Sequence, residues 1–129
     1  RKFLGGIVDD IEIERKFYSI INTKELYYII EEKESNDDIG LISLTNYYEE
    51  GRIELSYEIL PDYFGKGYAF ENVKRVIDLA LLELGIIELV AETQISNEKS
   101  VRLLERLGMK REKEIVRYNE KQAVYTIKK

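Results

Sequence analysis

Phe64-Gly65-Lys66-Gly67-Tyr68-Ala69-Phe70-Glu71 is the stretch on which the reading of this chain turns. A strand-like run stops before it at Pro61-Asp62-Tyr63, and an amphipathic pattern starts directly after it. Val73, Val76, Ile77, Ala80, Leu81 and Leu84 recur at three- and four-residue steps, and Gly85 stands at the expected C-cap. The spacing predicts a helix of about four turns. Two glycines and an alanine at alternate positions leave main-chain N–H groups uncovered where the helix dipole begins, which suits a phosphate. A strand-to-helix turn that needs small residues only for packing would use the same glycines. Two phosphate motifs are excluded. A nucleoside triphosphate loop needs a Lys-Ser or Lys-Thr pair where Tyr68 and Ala69 stand, and a dinucleotide fingerprint needs a small residue at Phe70.

Upstream, Arg52 to Leu60 alternates as a strand, stopped by Pro61. Before it, Glu25 to Lys33 and Ile39 to Leu44 read as a hairpin around the turn cluster Ser35-Asn36-Asp37-Asp38. Between Asp10 and Thr23, Ile11, Ile13, Phe17, Ile20 and Ile21 fall close to helical spacing, which predicts an amphipathic helix. Downstream, Ile86 to Ile95 reads as a buried strand. Asn97 is placed to N-cap a helix with core positions Val101, Leu104 and Leu107, ended by Gly108. Met109 to Tyr118 and Gln122 to Ile127 form a final hairpin turning at Asn119-Glu120. The order is helix, three strands, helix, strand, helix, two strands: an α/β (α+β) domain on a single mixed, mostly antiparallel sheet flanked by helices.

The 129 residues, 44% of them hydrophobic, are the size of one domain. Twenty basic and twenty-five acidic side chains give a net charge of -5, which argues against nucleic acid or an anionic membrane as a partner. There is no cysteine, which rules out disulfides and a thiolate nucleophile and favours the cytoplasm as compartment. There is no histidine either, so acid–base chemistry falls to carboxylates, tyrosines, lysines or water, and no metal is expected. The longest apolar stretch, Ile77 to Ala91, is interrupted by Asp78, Glu83 and Glu88 and does not span a bilayer.

The run from Glu54 through Tyr57, Pro61 and Gly65 to Ala69, followed by Asn97-Glu98-Lys99-Ser100 and Leu103-Leu104-Glu105-Arg106-Leu107-Gly108-Met109, resembles the GNAT superfamily of acyl-CoA N-acyltransferases. The most similar branch acetylates ribosomal-protein N-termini, with small-molecule relatives. The resemblance runs from Phe3-Leu4-Gly5-Gly6 to the last hairpin and implies one GNAT-like domain over residues 1–129. It also implies that the family's opening strand and helix are absent and the domain N-terminally incomplete. Gly67 and Ala69 match the family's loop motif, while Phe64 replaces its Gln or Arg, so main chain rather than side chain would hold phosphate. By this resemblance acetyl-CoA is the acyl donor. Its pantetheine arm would bond the backbone of Ile59 and Leu60 where the strand splays at a bulge, and its pyrophosphate would lie on Gly65, Lys66, Gly67, Tyr68 and Ala69. Asn97 and Ser100 would orient it, with Lys66, Lys99 and Arg102 in reach of phosphates.

Acetyl transfer to an amine proceeds by direct attack, with proximity supplying much of the rate. A lysine-like ammonium of pKa about 10.4 is neutral only about once in 2,500 molecules at pH 7, so a positioned carboxylate assists by taking the proton. The resemblance makes Glu54 the first candidate base and Glu92 the second, with Glu58 in reserve. A glutamate in so acidic a chain is equally often a solvated edge charge. Leu104 holds the place where many members carry a tyrosine as general acid, leaving that role to water or to a tyrosine from elsewhere. Tyr47 and Tyr48, with the acidic balance, point to a cationic amine acceptor; the protein is expected to be a monomer or homodimer. The alternative is a GNAT-like module that binds CoA or a partner chain without turnover, or a purely structural oligomerisation domain.

Overall fold

A computed structural model of the chain describes residues 11–20 and 23–129, with side chains from residue 25 onward. The Phe3-Leu4-Gly5-Gly6 segment lies outside the described residues. Seven strands form one sheet in the order β1-β2-β3-β4-β5-β7-β6. They are β1 (Ile11–Ile20), β2 (Thr23–Glu32), β3 (Asp38–Asn46), β4 (Ile53–Ile59), β5 (Glu88–Gln94), β6 (Lys110–Arg117) and β7 (Glu120–Lys128). Helix α1 (Tyr68–Leu82) connects β4 to β5, and α2 (Glu98–Arg106) connects β5 to β6. Every neighbouring pair is antiparallel except β4–β5, so the sheet is mixed as the sequence predicts.

The helix expected over Asp10 to Thr23 is a strand instead where the structure describes it, over Ile11–Ile20. β1 pairs antiparallel with β2 from Ile11↔Glu32 to Ile20↔Thr23. Positions 11, 13 and 17 satisfy a two-residue period as well as a helical one, and this pairing covers the edge β2 would otherwise leave open. Pairing with the next strand decides between two periods that the local pattern leaves level.

The two helices lie on one face of the sheet. Val73, Val76, Ile77 and Ala80 of α1 pack with Tyr28, Ile30, Ile42, Leu44, Leu55 and Leu89, and Leu104 of α2 and its C-cap Leu107 continue the same core with Ala91, Ala123 and Tyr125. A smaller cluster of Tyr47, Val90 and Val124 covers the opposite face. Because side chains alternate along a strand, Leu55, Tyr57 and Ile59 of β4 turn to the helices while Glu54 and Glu58 turn away. Among the described residues no helix is long and apolar enough to cross a membrane.

The parallel pair is short. β4 and β5 are joined only at Ile53↔Leu89 and Glu54↔Val90. The closed end of this pair is fastened by Arg52, which reaches Glu88 at the start of β5 (3.1 Å), Glu112 of β6 (2.9 Å) and Glu49 (2.9 Å). Lys113 adds a second bond to Glu49 at 2.7 Å. Hydrogen bonds from Lys113 to Glu49 and from Arg52 to Glu112 hold both carboxyls below the usual range. Their contribution to stability is therefore present above the unfolded carboxylate pKa, about 4.3, and is lost as pH falls below it. Arg52→Met is expected to lower Tm at pH 7 by roughly 3 to 5 °C. That deficit should shrink in about 1 M salt and near pH 3, and calorimetric melting curves of both proteins under the three conditions check it.

Candidate functional site

Beyond Glu54 the two central strands separate, and a cleft of about 1070 Å³ opens between them. Its walls include Tyr57 and Ile59 of β4, Ala91 and Thr93 of β5, the glycine loop, and Ser100 and Leu103 of α2. The β3–β4 register runs from Gly40↔Ile59 to Asn46↔Ile53 without a shift, so no bulge on that side produces the opening. The expected splay is present; on the β3 side its expected bulge is not. Helix α1 pulls the chain out of the sheet after Pro61, and β5 enters parallel from the far side.

Close approach of β3 to β4 depends on Gly40. A Cβ there would stand 2.7 Å from the Glu58 carbonyl oxygen and 3.0 Å from Ile59 Cγ1. The main chain of β4 explains which of its residues face the opening. Leu60 N–H donates to the Ile39 carbonyl at 2.9 Å, and its own carbonyl accepts from Tyr63 N–H at 2.9 Å. Antiparallel strands alternate in this respect, so Ile59 and Tyr57 direct their N–H and C=O into the cleft. Leu60 thus departs from expectation: its backbone is engaged within the protein, although its exposed side chain lines the cleft. The main chain of Tyr57 faces the opening instead, which the sequence did not signal because backbone direction depends on register.

At one end of the cleft lies the glycine loop. Gly65 and Gly67 adopt φ of 75° and 82°, the left-handed conformation that side chains disfavour. Gly67 is the N-cap of α1 and offers no side-chain cap. The amides of Gly65, Lys66, Gly67 and Ala69 have no acceptor among the described residues, and the space beside both glycines is open. A helix terminus of this kind binds anions. Phe64, Gly65, Gly67, Tyr68 and Ala69 line the cleft, whereas Lys66 lies off its wall, with Nζ over the Tyr63 ring at 5.6 Å. Lys99 and Arg106 of α2 line it instead, over Phe64 and Phe70 at 5.8 and 4.3 Å, while Arg102 does not. Arg106, quoted within the second motif but not named there as a phosphate residue, is signalled for this place only by its helical spacing from Lys99.

On the sheet face away from the helices, Glu54, Glu92, Asn97, Arg117 and Tyr118 border a second, polar cavity of about 430 Å³. Glu92, Thr93 and Asn97 belong to the walls of both cavities, so the two meet at the strand gap. The two candidate bases differ. Glu92, with a side chain 8% exposed, is pinned at Oε1 by the Tyr47 hydroxyl (2.6 Å) and the Arg117 guanidinium (3.0 Å). Burial, and then the Glu92 hydrogen bond, push the Tyr47 phenol far above its ordinary value, so it stays a donor. Glu54 has no hydrogen-bond partner among the described residues; burial first, and the Glu92 charge second, raise its carboxyl above the usual range. Glu58 keeps Glu54's strand parity but is exposed. Asn97 caps α2 as expected, its Oδ1 accepting from Ser100 N–H at 3.2 Å.

The described residues thus bring together an uncovered helix terminus, a slot between parting strands and two carboxylates. The acetyltransferase (GNAT) domain family matches residues 2–110, and the chain belongs to that family. The uncharacterised N-acetyltransferase YnaD of Bacillus subtilis is 31% identical over 74 residues, 57% of this chain and 44% of its own. YoaA of the same organism is 31% identical over 84 residues, covering 64% and 48%. The chain thus spans about half the length of the curated relatives it matches. Ribosomal-protein-S5-alanine acetyltransferase from Vibrio fischeri superposes with a TM-score of 0.74 at 24% identity, covering 81% of this chain and 61% of that one. Spermidine N-acetyltransferase from Vibrio cholerae, solved with CoA and spermine, gives 0.72 at 23% identity, covering 81% and 65%. These two likenesses establish the fold.

Gly40→Ala is expected to lower Tm by several degrees, because a main-chain carbonyl must yield to the new methyl and β4 has only the open gap to move into. An unchanged Tm in differential scanning calorimetry would contradict that close contact.

Proposed function

We propose that this chain transfers the acetyl group of acetyl-CoA to a primary amine, by direct attack and without a covalent enzyme intermediate. The observation that carries the reading is the continuity of the cleft with the carboxylate pocket through the β4–β5 gap. The glycine-loop amides and the α1 terminus take the pyrophosphate, and the inward main chain of Tyr57 and Ile59 bonds the arm as a further strand would. The thioester carbonyl then lies in the gap. Its acceptor enters from the opposite face, through the pocket that holds Glu54 and Glu92.

Glu54 takes the ammonium proton, because it is raised and uncommitted, and Glu92 sets the field around it. A net negative pocket favours a cationic acceptor. The named substrates of two structural neighbours, a ribosomal-protein alanine and spermidine, are amines that are cationic at neutral pH.

Acetyl-CoA, and neither ATP nor NAD, is expected to raise Tm through native-state binding, and Gly67→Val should weaken that effect at least about tenfold in ligand concentration. Thiol release should appear with spermidine or an alanine-initiated peptide. No Tm shift at millimolar acetyl-CoA and no release with either amine would overturn the reading.

The pH profile separates the two glutamates. Because the carboxyl must be ionised to act, the acid limb of kcat/KM should lie above the ordinary carboxylate range. Glu54→Gln should remove that limb and lower kcat by roughly 100-fold. Glu92→Gln removes a neighbouring negative charge and so should move the limb to lower pH. A limb unchanged in Glu54→Gln would exclude it as the base.

A further inference from the structure

The sheet separates the two halves of the proposed reaction, and this assigns a proton donor. Glu54 and Glu92 lie on the face that carries Val90 and Tyr47, so the amine and its base approach from there. The glycine loop, α1 and α2 are on the other face, and the carrier's arm and sulfur arrive from that side. When the C–S bond breaks, the electron pair remains on a sulfur on the α2 side of the sheet, whereas the Glu54 side chain turns to the opposite face. Along that part of the wall the hydroxyls are those of Tyr57, Thr93 and Ser100. A phenol, with an ordinary pKa of about 10, is a far stronger acid than either alcohol.

Tyr57 is also held for the task. Its hydroxyl oxygen is 3.0 Å from Ser100 Oγ, across the cleft mouth from β4 to the first turn of α2. Ser100 is itself fixed by its N–H bond to Asn97 Oδ1. From these positions we infer that Tyr57 protonates the departing sulfur and that Ser100 is its positioning residue, an inference that rests on the acetyl-transfer reading above. Glu54 first takes one proton from the ammonium and passes it to water; the neutral amine nitrogen then forms the new bond to the carbonyl carbon, its second proton passes to the freed Glu54, and the C–S bond breaks as the phenol proton moves to sulfur. The Tyr57 phenolate is stabilised by a hydrogen bond from Ser100 and regains a proton from water, while Glu54 again releases one to water, so two protons leave the ammonium, one ends on the thiol and one is released to solvent. Burial raises the Tyr57 phenol above its ordinary value and the Ser100 bond offsets only part of that rise, so the donor is protonated at neutral pH. Leu104, 1% exposed in the core beneath, has no proton to offer.

The test uses the full chain, with spermidine and an alanine-initiated peptide as acceptors and two donors, acetyl-CoA and acetyl-seleno-CoA. A selenolate is a weaker base than a thiolate and leaves with less need of a proton. Tyr57→Phe is expected to lower kcat with acetyl-CoA by about 100-fold while leaving the calorimetric Kd for CoA within about twofold. The loss should shrink to under about tenfold with the selenoester, and Ser100→Ala should show a smaller deficit of the same donor-dependent kind. Tyr57→Phe at full rate, or an equal loss with both donors in both variants, would overturn the assignment and leave the acetyl-transfer reading standing. Wild-type protein that releases no thiol with either acceptor would instead overturn that reading, and this assignment with it.

Discussion

Two hydrogen-bonded rungs between β4 and β5, and no more, are the constraint on which the molecule is organised. A parallel pair in the middle of a sheet would normally continue, since each abandoned N–H and C=O loses a partner. Here the strands close at Glu54 and then part, leaving the main chain of Tyr57 and Ile59 directed into a cleft. The Arg52 network holds the closed end together at the same height as Glu88, so the opening is confined to the other end. What is lost as pairing inside the fold is thereby kept as hydrogen-bonding capacity for a ligand.

The placement of the helices gives the gap its two unlike sides. Helix α1 begins at the mouth of the cleft with an uncapped terminus, and the left-handed Gly65 and Gly67 keep that terminus uncovered. Helix α2 brings Ser100 against Tyr57 and Lys99 beside Phe64. On the other face the sheet carries carboxylates, with Tyr47 and Arg117 fixing Glu92 and leaving Glu54 uncommitted. The uncovered amides favour an anionic group on the helix side, and the carboxylates favour a cationic group on the other.

Local signals in the sequence sufficed wherever one element carried the information. The glycine loop, the α1 core positions, the Asn97 cap and the hairpins β2–β3 and β6–β7 all follow from turn chemistry and periodicity. Glu54 and Glu92 came from motif resemblance, and the fold does bring them to one pocket. What was not legible depends on partners outside the element itself. β1 required its pairing with β2, since its apolar positions satisfy both periods. The inward backbone of Tyr57, and the engagement of Leu60 with Ile39, follow from register. Tyr57 and Ser100 are 43 residues apart, and Tyr47 and Glu92 are 45 apart, so no local pattern announces either contact.

The most direct test is diffraction from crystals grown with a non-cleavable thioether analogue of acetyl-CoA. The account predicts continuous density for the pantetheine arm between β4 and β5, bonded to Ile59, with the pyrophosphate on the amides of Gly65 to Ala69. An analogue seated elsewhere, or strands that close on one another and exclude it, would contradict the account.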